Sequence, residues 1–337
     1  VTTGRGAGRY SDHDVEHYDR PRRSTRPRTK ERPSYDDAVS ARVVTVDRGR
    51  FTLLVGEGAG ATKVMAMKAR PLGRKGVVVG DRVRVVGDTS GADGSLARIV
   101  EVQERSTTLR RTADDDDPVE RVIVANAEQL VVVTALADPE PQPRLIDRAL
   151  VAAYDAGMAP LLCLTKADLA DPETLLSTYR SLGVPWVVTR RGGDLAEVRE
   201  RLSDRTSVLV GSSGVGKSTL VNALVPTAGR EVGIVNAVTG RGRHTSTSAY
   251  MLALPGGGWI VDTPGIRSFG LAHVQPEHLI EAFPDLDEMT EDCPRGCTHG
   301  SDEPECGLDE AVAAEQADPE RVASFRRLLA ARSVSDY

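Results

Sequence analysis

The sequence predicts an α/β protein in which a small closed β-barrel precedes a mainly parallel sheet and a short helical segment follows it. Three observations predict this. Five Val-rich runs crowd together between residues 41 and 103. Strand-like and helix-like runs alternate from about residue 120 onward. Three cysteines and a histidine lie within residues 293–306.

The five runs are "ARVVTV", "FTLLVG", "KVMAMKA", "DRVRVVG" and "ARIVEVQ", separated by Gly-containing turns. Short β-branched runs with such punctuation read as strands. Five of them make an OB-fold the leading expectation, with an SH3-like barrel as the alternative. The charged stretch "RRTADDDDPVE" reads as a linker. Beyond it, "ERVIVANAEQLVVVTAL" contains a buried strand, "PRLIDRALVAAYDAG" is a helix and "APLLCLTKADL" is a strand with its exit loop. "PETLLSTYRSLG", "PWVVTR", "LAEVRERLSD", "TSVLVGSSG" and "KSTLVNALV" continue as helix, strand, helix, strand and helix. Such alternation predicts a parallel sheet covered on both faces, with ligands at the carboxyl ends of its strands. "DPERVASFRRLLAARS" reads as a terminal helix. The expected divisions are a disordered basic tail over 1–38, the barrel over 39–112, the α/β domain over 113–272 and a metal-binding segment over 273–337.

Composition narrows the class. With 337 residues, 40% apolar and 27% charged, the chain suits two or three soluble domains. It has no apolar run long enough to span a bilayer, and its first twenty residues have no apolar core, so a cytoplasmic protein is expected. The net charge of −6 is unevenly spread. Residues 20–32 carry seven Arg/Lys and one Glu; residues 41–112 carry fourteen basic and seven acidic side chains; residues 271–337 carry five basic and sixteen acidic. A basic front half suits a polyanion such as nucleic acid, though a solvated surface would show the same charge.

The chemistry begins at "GSSGVGKST", residues 211–219. Gly211, Ser212, Ser213, Gly214, Val215, Gly216, Lys217, Ser218 and Thr219 follow an apolar run and open an amphipathic helix, the context a phosphate-binding loop requires. Its backbone N–H groups can curl around phosphate oxygens. Lys217 reaches the β- and γ-phosphates and Ser218 binds Mg²⁺. In "VDTPG", Asp262 ends a strand and suits Mg²⁺, while the Gly265 N–H suits a γ-phosphate. Between them "TGRGRHTSTS" suits a mobile switch, with Thr245 and Thr247 competing for Mg²⁺.

This arrangement lacks a base reader downstream. One lies upstream, in "TKAD": Asp168 can accept from guanine N1 and N2, Lys166 can pack along the base, Thr165 can brace the loop, and Ala167 completes it. Thr189, ending the next strand, suits a backbone amide facing guanine O6. The order is therefore base reader, phosphate loop, switch and Asp-x-x-Gly, which is a circularly permuted P-loop GTPase domain. A sheet's contacts do not depend on where the chain is cut, so physics permits it.

Barrel, "TKAD", "GSSGVGKST", "RHTSTS", "DTPGIRSFGL" and a Cys/His cluster together resemble the RsgA (YjeQ) family of small-subunit-dependent GTPases, over about residues 40–330. The resemblance implies GTP and GDP as ligands, Mg²⁺, rRNA binding, the small ribosomal subunit as partner and stimulator, and a role in late maturation of that subunit. A monomer is expected. Many GTPases carry Gln after the Asp-x-x-Gly glycine to orient water. Here it is Ile266, and an alkyl chain cannot hold water. His244 is the nearest replacement, because imidazole can orient or polarise water near neutral pH. The resemblance implicates it as well.

Cys293, Cys297, His299 and Cys306 suit a closed tetrahedral Zn²⁺ site of structural type. The resembled pattern has one more residue between the first two cysteines and one fewer before the last. Cys163, in "PLLCL", is a core residue. Residues 41–112 hold one aromatic, Phe51, so stacking on single strands is disfavoured and phosphate contacts on folded RNA are expected. The candidates are Arg70, Arg74, Lys75, Arg105, Arg110 and Arg111. Two further readings compete with a GTPase. A non-catalytic, nucleotide-switched RNA scaffold would explain Ile266; an ATP-dependent kinase is disfavoured by "TKAD" and "DTPG".

Overall fold

The computed structural model describes residues 35–47, 49–56, 58–72, 76–111, 121–227, 249–263, 271 and 274–332. The arginine-rich tail, Arg74, Lys75, His244, Thr245, Thr247, Gly265 and Ile266 lie outside the described residues.

Strands β1 (Val39–Asp47), β2 (Arg50–Val55), β3 (Thr62–Lys68), β4 (Arg82–Gly87) and β5 (Ala97–Val102) form the barrel. Their order is β1-β2-β3-β5-β4, and β4 returns to β1, so the barrel closes. The parallel β3–β5 pairing amid antiparallel neighbours decides for the OB-fold. Alternate residues point inward: Val43, Phe51, Leu53, Val64, Ala66, Val83, Val85 and Ile99 fill the interior. Phe51 is thus a core residue.

The barrel is not a separate bead. A register shift between Val43 and Thr45 bends β1, and such a bulge turns a strand toward a second partner. Here the second partner is the α/β core, through Thr45 opposite Tyr250. The result is one sheet of eleven strands, and barrel and core belong to one compact unit. The strands β6 (Thr108–Arg111) and β7 (Arg121–Ala125) pair as a hairpin, and the boundary expected at residue 112 falls between them. The segment expected to hold one buried strand holds two. β7 ends before Asn126, whose φ is 55°, and β8 (Gln129–Ala135) begins after it. Gly80, at φ 89°, lets the barrel approach this hairpin, since a Cβ there would meet the Ala125 carbonyl at 2.0 Å.

The core continues with α1 (Pro143–Asp155), β9 (Ala159–Thr165), α2 (Glu173–Tyr179), β10 (Trp186–Val188), α3 (Ala196–Leu202), β11 (Thr206–Val210), α4 (Lys217–Leu224), β12 (Tyr250–Ala253) and β13 (Trp259–Asp262). Its strand order is β10-β9-β8-β11-β13-β12, parallel except for β12. All of β8 is buried, as a strand covered on both faces must be. Leu130 and Val132 face one core layer, Val131 and Val133 the other. Cys163 is fully buried, and its burial pushes the thiol up to about 12.

Helices α5 (Pro276–Ile280), α6 (Pro284–Asp287), α7 (Gly307–Ala313) and α8 (Pro319–Ala331) complete the chain. Asp318 caps α8 by accepting from the Glu320 N–H at 2.8 Å. Helix α8 lies on α1: Arg327 pairs with buried Asp147 at 3.3 Å, and Arg148 donates to the Ala331 carbonyl at 3.0 Å; Ser324 of α8 also meets Ser181, just beyond α2, at 2.7 Å.

Candidate nucleotide-binding site

The central strand β11 is wholly buried and delivers the phosphate loop to the carboxyl edge of the sheet. Gly211 leaves it at φ 149°, where a Cβ would sit 2.1 Å from the Val133 carbonyl. No side chain fits there. Gly216, at φ 97°, turns the chain into α4. Lys217 opens that helix, and its ammonium donates to the Gly211 and Ser212 carbonyls at 2.5 and 2.7 Å. Burial pushes its pKa down, while the nearby Asp262 charge pushes it back up. Ser218 and Thr219 are exposed on the first helical turn, as are Ser213 and Gly214 in the loop.

The base-reading stretch meets this loop directly. Thr165 ends β9 and is buried. Its hydroxyl donates to the Val215 carbonyl at 2.5 Å and lies 3.3 Å from the Thr134 carbonyl. A hydroxyl has one hydrogen, so the shorter contact is the bond. Lys166 adopts φ 57°, and its ammonium donates to the Asp138 carbonyl. The Leu169 N–H donates back to the Lys166 carbonyl at 2.9 Å. That turn leaves Asp168 exposed, and its carboxylate has no partner among the described residues.

Thr189 requires a correction. Its amide, expected to face guanine, donates to the Leu164 carbonyl at 2.7 Å. That N–H is spent in the β9–β10 ladder. Its carbonyl instead accepts from the Ala167 N–H at 3.2 Å, so Thr189 ties the two base-side loops together.

At the tip of β13, Asp262 is buried and accepts from the Tyr250 hydroxyl at 2.7 Å through Oδ2. The Thr263 hydroxyl donates to the Leu209 carbonyl at 3.0 Å. A serine hydroxyl on a helix N-terminus and a buried carboxylate are hard oxygen donors, which suit Mg²⁺. Tyr250 was not singled out from sequence. The signal was there, as "YMLAL" and "WIVD" flank the turn "PGGG", a hairpin pattern whose register sets residue 250 opposite 262.

The second site is local. The donor atoms of Cys293, Cys297, His299 and Cys306 all lie within 4.8 Å of one another. Nδ1 of His299 is 3.7, 3.6 and 3.9 Å from the three sulfurs in chain order. A tetrahedral zinc centre with bonds of about 2.3 Å to sulfur and about 2.0 Å to nitrogen has nitrogen–sulfur edges of about 3.6 Å. The donor set therefore fits Zn²⁺ despite the altered spacing. The Gly307 N–H donates to Cys293 Sγ at 3.2 Å, and Arg326 Nε to the His299 carbonyl at 3.1 Å. Both hold ligands in place from outside the donor set.

The RNA candidates separate. Arg70 and Arg110 are exposed. Arg105 grips fully buried Asp81 with Nε and Nη2, at 2.7 and 2.9 Å, and reaches the Gly76 carbonyl at 2.9 Å. Its guanidinium is committed to the barrel's own structure.

Residues 102–272 match the model of a protein family described as the RsgA GTPase. The chain belongs to the RsgA GTPase family. The RsgA domain so matched runs from the end of β5 past β13, and so contains both the base reader and the phosphate loop. A protein of Pseudomonas fluorescens named small ribosomal subunit biogenesis GTPase RsgA is 37% identical over 293 residues, 84% of this chain and 82% of that one. A protein of the same name from Ectopseudomonas mendocina is 43% identical over 224 residues, 64% of this chain; the chain spans 65% of that relative's length. Among solved structures, YjeQ from Thermotoga maritima superposes with a TM-score of 0.63 at 26% identity, over 88% of this chain and 98% of that one. YloQ, a circularly permuted GTPase, gives a TM-score of 0.63 at 24% identity, covering 90% and 98%. The RsgA fold thus carries the permutation expected from the motif order.

Proposed function

We propose that the protein binds and hydrolyses GTP as a factor in late maturation of the small ribosomal subunit, binding its rRNA and being stimulated by it. The observation that carries this reading is the Thr165–Val215 bond. It brings an Asp168 carboxylate, unpartnered among the described residues, and the phosphate loop to one edge of the sheet, so a single guanine nucleotide can be read at both ends.

Asp168 accepts from guanine N1 and N2, and Ala167 and Lys166 shape the base loop. The N–H groups of Gly211 to Thr219 receive the phosphates. Lys217 then exchanges its two loop carbonyls for phosphate oxygens, whose charge offsets the burial that depresses its pKa. Ser218, Asp262 and either Thr245 or Thr247 would hold Mg²⁺, which neutralises charge across the β- and γ-phosphates when bound. His244 orients the attacking water that Ile266 cannot hold, and Gly265 offers its N–H to the γ-phosphate. One Zn²⁺ on Cys293, Cys297, His299 and Cys306 would brace the C-terminal segment. rRNA phosphates are met by Arg70, Arg74, Lys75, Arg110 and Arg111 and by the basic tail. The protein acts as a cytoplasmic monomer. Among the described residues no helix is long and apolar enough to cross a membrane.

Ile266 favours one competing reading, a scaffold that binds GTP without turning it over. Turnover measured with isolated small subunits, large subunits and whole ribosomes separates the two. Stimulation by small subunits supports the enzyme. Tight GTP binding with no turnover under any condition supports the scaffold.

A further inference from the structure

Tyr250 is the first residue of β12, just beyond the switch-like stretch 239–248. It faces two neighbours at once. Its backbone lies opposite Thr45 of the barrel strand β1 and opposite Asp262 of β13. Directly opposed residues of an antiparallel pair carry their side chains on the same face. The register therefore brings the phenol to the carboxylate, and a slip of one residue would send it to the other face. The hydroxyl donates to Asp262 Oδ2 at 2.7 Å. Asp262 is 6% exposed, so water does little to orient its carboxylate.

We propose that Tyr250 is a positioning residue for Asp262, holding Oδ2 so that Oδ1 is presented to the hydrated Mg²⁺ that accompanies the nucleotide. The inference rests on the GTP and Mg²⁺ reading above. A carboxylate anchored through one oxygen cannot rotate freely. Without the phenol, part of the Mg²⁺ binding energy goes to ordering the carboxylate. Because Tyr250 also sits against β1, the anchor is built at the seam between barrel and nucleotide domain.

The test is the Mg²⁺ dependence of GDP binding by the full chain, followed with a fluorescent GDP at equilibrium and by its release rate. Tyr250→Phe keeps the ring and removes only the hydroxyl. It should raise the Mg²⁺ concentration giving half-maximal slowing of release by about tenfold, as for a lost hydrogen bond to a charged group. GDP affinity in excess chelator should not change. Adding Tyr250→Phe to Asp262→Asn should shift the Mg²⁺ response no further than Asp262→Asn alone. A Tyr250→Phe protein that melts earlier but keeps the wild-type Mg²⁺ response would overturn the proposal, leaving the phenol as packing. If Asp262→Asn itself leaves the Mg²⁺ response unchanged, the magnesium reading of Asp262 fails, and the proposal with it.

Discussion

The Thr165 hydroxyl donates to the Val215 carbonyl at 2.5 Å, across fifty residues of chain. It fastens the "TKAD" loop to the "GSSGVGKST" loop, and both residues are buried at the contact. Thr165→Val keeps the shape and removes the donor, which leaves the Val215 carbonyl unpaired. Stability should fall by about 1–2 kcal/mol. GDP affinity should fall with it, because the two halves of the site are no longer held in register. Thr165→Ser should restore both. Denaturant melts and equilibrium GDP binding of the three proteins check this.

Asp168 is exposed and unpartnered among the described residues, so substituting it disturbs no contact described within the protein. Asp168→Asn should leave the melting curve unchanged while weakening GTP and favouring xanthosine triphosphate, whose extra carbonyl accepts from the new amide. Competition between the two nucleotides measures the switch. Equal ATP and GTP affinity in the wild type would remove Asp168 as a base reader.

Hydrolysis should depend on two side chains in different ways. Lys217→Ala should abolish turnover by removing the charge that meets the phosphates. His244→Ala should keep GTP affinity and lower subunit-stimulated turnover by ~10²-fold or more, the usual cost of an acid–base or water-positioning group. Single-turnover assays with saturating small subunits separate the binding effect from the chemical one. Unchanged stimulated turnover in His244→Ala would exclude it from the mechanism.

The four-residue donor cluster should carry one zinc per chain. Metal analysis of protein purified without added zinc should find it, and Cys306→Ala should lose it. Cys306 is fully buried and immediately precedes α7, so the loss should also destabilise the packing of α7 and α8. Titration with a zinc-selective chelator in excess Mg²⁺ should then loosen the C-terminal helices while GDP binding persists, read by hydrogen exchange of α8. Absence of metal together with freely reactive thiols would argue against the site.

Much of this protein is determined locally, and the sequence alone determines those parts. The phosphate loop is one continuous stretch whose glycines are dictated by close approach, as at Gly211 against Val133. The three cysteines and the histidine lie within fourteen residues, so the members of this cluster were legible before any fold. Strand alternation and the order of "TKAD" and "GSSGVGKST" sufficed for the permutation. Tertiary structure decided what depends on distant partners. Arg105 reads as one more basic surface residue until Asp81, twenty-four positions away, is found buried beneath it. The Thr189 amide reads as a base contact until β9 pairs with β10 and consumes it. Tyr250 acquires its meaning only from the β12–β13 register, and β1 joins the core only because a bulge redirects it. Local motifs are written in neighbouring residues, because one short stretch of backbone makes the site. A hydrogen bond between far-separated residues leaves no pattern in the sequence, because either partner alone looks like an ordinary exposed polar side chain.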